Sequence, residues 1–78
     1  MKLTKKMIDS AAKQGACSDA INWLKETPRT WEELIAINIT WAAWGEAHHL
    51  GKRLSDAQVQ EVVQKAPGAA AYLRDRIH

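Results

Sequence analysis

The sequence predicts an all-α fold, a compact single domain of five or six short helices over residues 1–78. Three observations carry this. Helix-capping residues and Gly or Pro stops alternate along the chain, apolar residues recur at helical spacing between them, and no stretch alternates apolar with polar residues long enough for a strand. The aromatic content locates the core: there are four tryptophans and no phenylalanine, every tryptophan lying between Trp23 and Trp44. A chain of 78 residues holds one core. Such a domain buries only about 60% of its unfolded surface, and an indole ring adds roughly 150 to 250 Å². The four rings are therefore expected in or near the core.

Each element has a local cause. Thr4 caps a first helix running to about Gln14, with Met7, Ile8, Ala11 and Ala12 on one face, lysines on the other and Gly15 as the left-handed stop. Ser18 is the expected cap of a second helix, Asp19 to about Glu26, whose inner side is Ala20, Ile21, Trp23 and Leu24; Pro28 disfavours helix at Thr27 and ends it. Thr30 with Glu33 makes a capping box for a third helix carrying Trp31, Leu34, Ile35 and Asn38. The β-branched run Ile37-Asn38-Ile39-Thr40 suits either a break, with Thr40 capping a fourth helix from Trp41 to Leu50 and Gly51 as its stop, or one bent helix from Trp31 to Leu50. The break is the expectation. Ser55 and Gln58 form a second capping box, opening a helix with Val59, Val62 and Val63 on one face that stops at Pro67-Gly68. A last segment, Ala69 to Ile77, is expected to pack through Ala70, Leu73 and Ile77, with Tyr72 at the margin.

Composition excludes several classes. Eleven basic and nine acidic residues give a formal charge of +2, too balanced for the dominant basic face of a typical nucleic-acid binder. One cysteine cannot form an internal disulfide. Asp9, Ser10 and Lys13 interrupt any signal-peptide core after Lys2, Lys5 and Lys6. The longest uncharged run, Leu34 to Gly45, falls short of the roughly 20 residues of a membrane helix. A cytoplasmic protein with no membrane association is the expectation.

Gly15-Ala16-Cys17, Ala20 and Trp23-Leu24, then Pro28-Arg29-Thr30-Trp31, and Thr40-Trp41 with Trp44 beyond, resemble a segment that recurs in small proteins of bacteriophages and prophages. The resemblance covers roughly residues 11–50 and implies a helical hairpin and a phage-type origin, with no catalytic role attached to its residues. Small phage proteins commonly bind a host protein and block or redirect it, and this includes inhibitors of bacterial defence systems such as CRISPR complexes. What the resemblance implies is thus a protein-binding protein whose partner is a host or phage protein.

Reactive groups are few. Cys17 precedes a helix N-terminus, a setting that can activate a thiol, but its neighbours Ala16, Ala20, Trp23 and Leu24 make a small buried hydrophobe the expected role. His48 and His49 are adjacent and point about 100° apart, so they lack the i, i+4 spacing of a zinc pair. No metal or cofactor is expected. Glu32 and Glu33 occupy a helix first turn, where the dipole accounts for them; Glu46 is expected to be a solvated surface carboxylate. No phosphate loop, nucleophile elbow or metalloprotease motif occurs, and an enzyme is not expected.

Trp41, Trp44 and His48 share one helical stripe. They read either as core-edge packing or as an aromatic patch for a partner, because tryptophan dominates interface hot spots. The candidate contacts are Trp41, Trp44, His48 and His49, with Lys52, Arg53, Arg74 and Arg76 as a charged rim. The same patch suits closure of a homodimer. The rival function is nucleic-acid binding by the basic C-terminal half, Lys52-Arg53, Lys65, Arg74 and Arg76. The helix-turn-helix spacing at residues 19–31 argues little for it, because Glu32 and Glu33 would face phosphates.

Overall fold

Six helical segments follow one another with short links in the computed structural model, which describes residues 1–77: α1 Lys5–Lys13, α2 Ser18–Glu26, α3 Trp31–Ile37, α4 Ile39–Ala47, α5 Asp56–Lys65 and a 3₁₀ segment Pro67–Arg76. The fold is all-α, and the described residues contain no strand, only an isolated bridge between Lys2 and Thr30.

The caps explain where the helices begin. Thr4 accepts the Met7 N–H at 3.2 Å, and Gly15, at φ 96°, turns the chain after α1. Thr30 and Glu33 make the reciprocal bonds of a capping box at 3.1 and 3.2 Å, and Ser55 and Gln58 do the same at 3.1 and 2.8 Å. The second helix departs from expectation: Ser18 is its first residue, and the cap position belongs to Cys17, whose side chain makes no capping bond.

The chain breaks between α3 and α4, two residues earlier than a Thr40 cap requires. Asn38, in extended conformation, donates its N–H to the Leu34 carbonyl and accepts the Thr40 and Trp41 N–H groups at 3.1 and 3.3 Å on its side-chain oxygen. One residue thus closes α3 and opens α4. Asn38→Ala removes both capping bonds and should cost about 1 to 2 kcal/mol, measured by urea denaturation followed by circular dichroism. At its far end α4 stops at Ala47, short of Leu50, because His49 takes a left-handed φ of 60° and the Leu50 N–H turns back to the Gly45 carbonyl at 2.7 Å.

The main core lies among α3, α4, α5 and the 3₁₀ segment, and is built from Trp31, Leu34, Ala42, Ala43, Leu54, Val59, Val62, Ala69 and Leu73. Ala42 and Ala43 are wholly buried, so α4 brings its backbone close to its neighbours. In the last segment Ala69 and Leu73 point inward and Ala70 is only half-buried, while Ile77, just after it, packs against the core as expected. The tighter 3₁₀ winding and the kink at Leu73 (φ −113°) set a different inward face from the one an α-helix gives.

The α1–α2 hairpin packs on itself through Ala11 and Ala20, outside the main core cluster. Main-chain bonds tie it to α3: the Leu3 N–H donates to the Arg29 carbonyl at 3.0 Å and the Trp31 N–H to the Met1 carbonyl at 2.8 Å. The Met1 ammonium lies 2.6 Å from Glu32 and, by hydrogen bonding to it, holds that carboxyl below its usual range.

Of the four tryptophans only Trp31 is fully buried. Trp23, Trp41 and Trp44 are half-buried, and Trp23 and Trp41 pack against the core from its edge, in keeping with rings in or near it. Trp23 packs against Trp41 with ring centres 6.0 Å apart, and the Arg29 guanidinium covers Trp23 at 4.2 Å.

Candidate binding groove

Between the α1–α2 hairpin and α4 lies a partly open cavity of about 300 Å³. Met7 and Ile8 of α1 and Leu24 of α2 wall one side, Trp41 and Trp44 of α4 the other. Trp31 and Leu34 reach it from α3, and Leu50 and Tyr72 complete the lining. No lining side chain is charged. The groove follows from the way the hairpin is attached: main-chain bonds hold one end of it, and its apolar face is only partly covered by the rest of the protein. Its volume is at the lower end of the range for ligand-accepting clefts, roughly 300 to 1,000 Å³.

The candidate contact residues divide into three groups. Trp41 and Trp44 both line the groove. His48 joins them by stacking on Trp44, with ring centres 3.8 Å apart and planes inclined by 19°. Its Nδ1 lies 2.8 Å from the Trp44 carbonyl, a contact in which that nitrogen is the N–H donor. His49, Lys52, Arg53 and Arg74 are exposed. Arg76 does not belong to a free cationic rim. Its side chain is 13% exposed and pairs with Glu46 and, at 3.3 Å, with Asp56. Lys65 is exposed and only loosely paired, 3.8 Å from Glu61 one helical turn away.

Glu46 departs from expectation in the same way. It is 13% exposed, and besides Arg76 it accepts the Leu54 N–H at 2.6 Å, so it is a structural anchor and not a solvated carboxylate.

Cys17 is exposed and lines the groove, contrary to the expected core role. The reason is its position: as the cap residue it precedes the first turn of α2, and the helical period that carries Ala20 and Leu24 inward does not extend to it. Iodoacetamide is expected to alkylate Cys17 in the native protein at nearly the rate seen in urea, as followed by mass spectrometry. A native rate slower by orders of magnitude would mean that the thiol is covered.

Sequence periodicity named Met7, Ile8, Ala11 and Leu24 as inward-facing but did not reveal that a groove opens over them. Leu50 and Tyr72 carried no signal beyond their apolar character. Among the described residues no group of three His, Cys, Asp or Glu side chains is placed to hold a metal ion, and no helix is long and apolar enough to cross a membrane. No known protein family, curated protein or solved structure matches the chain.

Proposed function

We propose that the protein acts by binding another protein, seating an apolar segment of that partner in the groove between the α1–α2 hairpin and α4, and that it performs no catalysis. The observation that carries this reading is the uncharged groove of about 300 Å³ walled by Trp41 and Trp44. An apolar concavity open to water gains free energy when covered, at roughly 25 cal/mol per Å², and indole rings at its edge are the residue type that anchors interfaces. The Trp44–His48 stack extends the aromatic surface beyond the groove, and the exposed Tyr72 borders it.

The phage-type resemblance directs the search to host proteins, defence complexes among them. The test uses Cys17, which lines the groove. Immobilised native protein and its N-phenylmaleimide adduct are compared for capture from a bacterial lysate, with bound proteins identified by mass spectrometry. The native protein should retain a defined partner that the adduct loses while its helical circular dichroism is unchanged. Capture indifferent to the adduct, or sizing that finds only self-association, would overturn the reading. The rival, a nucleic-acid role for the C-terminal basic residues, loses Arg76 to its ion pairs with Glu46 and Asp56.

A further inference from the structure

The positive charge of this protein is concentrated in one place. Residues 1–13 contain four lysines against one aspartate, so the rest of a chain with net charge +2 is slightly acidic. On α1, Lys5, Lys6 and Lys13 fall within about a third of the helix circumference at 100° per residue, opposite Met7, Ile8 and Ala11. All three are exposed, as is Lys2 just before the helix. Lys5, Lys6 and Lys13, together with Asp9 and Ser10, line one shallow surface depression. Among the described residues none of these lysines lies within 4.0 Å of a carboxylate, whereas Arg29, Lys65 and Arg76 each do. Asp9 alone offsets the self-repulsion of the three lysines along this face, which keeps a net positive charge.

The character of the face selects its partner. Protein–protein interfaces are depleted in lysine and organised about an apolar or aromatic centre, and the outer face of α1 has neither aromatic nor large aliphatic side chains. What it offers is mobile point charges, suited to a ligand recognised by charge density alone. A nucleic-acid backbone is such a ligand, because lysines that neutralise phosphates release condensed counterions and need no shaped pocket.

We infer that the outer face of α1, through Lys5, Lys6 and Lys13, docks on the phosphate backbone of a nucleic-acid duplex without reading its sequence. This surface lies on the opposite side of α1 from the groove, so a protein partner and a duplex can be held at once. The inference does not depend on the groove having a protein occupant.

Fluorescence anisotropy with a labelled duplex DNA of random sequence tests it. With three phosphate contacts, the slope of log affinity against log salt should be about −2.7, a loss of about 40-fold between roughly 50 and 200 mM salt. The triple variant Lys5→Glu, Lys6→Glu, Lys13→Glu should bind at least tenfold more weakly at the low-salt end, with unchanged circular dichroism because all three positions are exposed. Asp9→Asn, which removes the one acidic group on the face, should bind more tightly than wild type, a gain that a merely solvated lysine face would not give. The Cys17 adduct should bind DNA as the native protein does. Absence of binding at low salt, a triple variant equal to wild type, or competition by polyglutamate as effective as by unlabelled duplex would each overturn the assignment; the last would give the face to acidic protein. Loss of DNA binding on Cys17 modification would place the nucleic acid at the groove and overturn both the assignment to α1 and the groove's reading as a protein site.

Discussion

Replacing Gly51 by alanine is expected to destabilise the fold by about 2 to 5 kcal/mol, from two costs that add. Gly51 has φ 78°, a left-handed conformation that costs a residue with a Cβ about 1 to 2 kcal/mol. The added Cβ would lie 2.5 Å from Cε3 and 2.7 Å from Cζ3 of Trp31, closer than real contacts allow. Either the ring or the link must then move, an overpacking penalty of about 1 to 3 kcal/mol. Trp31 has little room, being 2% exposed within the main core. Among the described residues its buried indole N–H has no hydrogen-bond partner, and the ring is held by packing. A domain of 78 residues has a total stability of roughly 4 to 12 kcal/mol, and the loss is a large share of it. Gly45 supplies the control. Its Cβ would meet the same ring at 3.2 Å, but in helical backbone, where alanine is favoured over glycine by about 1 kcal/mol. Gly45→Ala should therefore stay within about 1 kcal/mol of wild type. Urea midpoints for the two variants decide the matter: equal midpoints would mean that Gly51 does not bear on Trp31.

What the sequence revealed and what it hid divide along the range of the interactions. Thr4, Thr30 with Glu33, and Ser55 with Gln58 cap helices through bonds three residues apart, and these helix starts were legible because cause and effect lie in one short segment. Asn38 shows the limit of local reasoning. Both Asn38 and Thr40 are cap residues, and only the structure shows that the Asn38 carboxamide takes two N–H groups at once. Cys17 stands one residue before α2, outside the helical period that buries Ala20, so its apolar neighbours in the chain do not fix its own burial. Arg76 and Glu46 are 30 positions apart, and neither residue's surroundings in the chain predict the other. The groove was half legible. Periodicity gave the apolar face of α1, but whether another element covers a face depends on how the hairpin docks, which main-chain bonds at Leu3 and Trp31 decide. The charge of α1 is visible in the sequence as a run of lysines; the structure adds that these lysines share one exposed face, whereas Arg76 of the C-terminal cations is taken up by Glu46 and Asp56.

Glu46→Ala is the second substitution of large expected effect, at about 2 to 4 kcal/mol. The carboxylate joins α4 to two distant segments, accepting the Leu54 N–H at 2.6 Å and the Arg76 guanidinium. Removing one partner from a fully buried ion pair costs about 3 to 5 kcal/mol because the other charge is left behind. That figure is reduced here, since the pair keeps some contact with water and Arg76 retains exposed Asp56 as a weak partner. Glu46→Gln keeps an oxygen for the Leu54 N–H and for one Arg76 bond, so it should lose about half as much. Asp56→Asn should change stability by less than about 0.5 kcal/mol. A double-mutant cycle with Arg76→Ala, measured by urea denaturation, should return a coupling of about 1 to 3 kcal/mol; additive losses would mean that the two side chains do not act as a pair. The effect should also reach Trp31. Leu54 is 1% exposed and stands three residues after Gly51, so the bond from Glu46 fixes the link that lays Gly51 against the indole ring. With that link loosened, the Cβ of Gly51→Ala has room to withdraw from the ring. The double variant Gly51→Ala, Glu46→Ala should therefore lose less stability than the sum of the single losses. A sum that holds would separate the ion pair from the packing of Trp31.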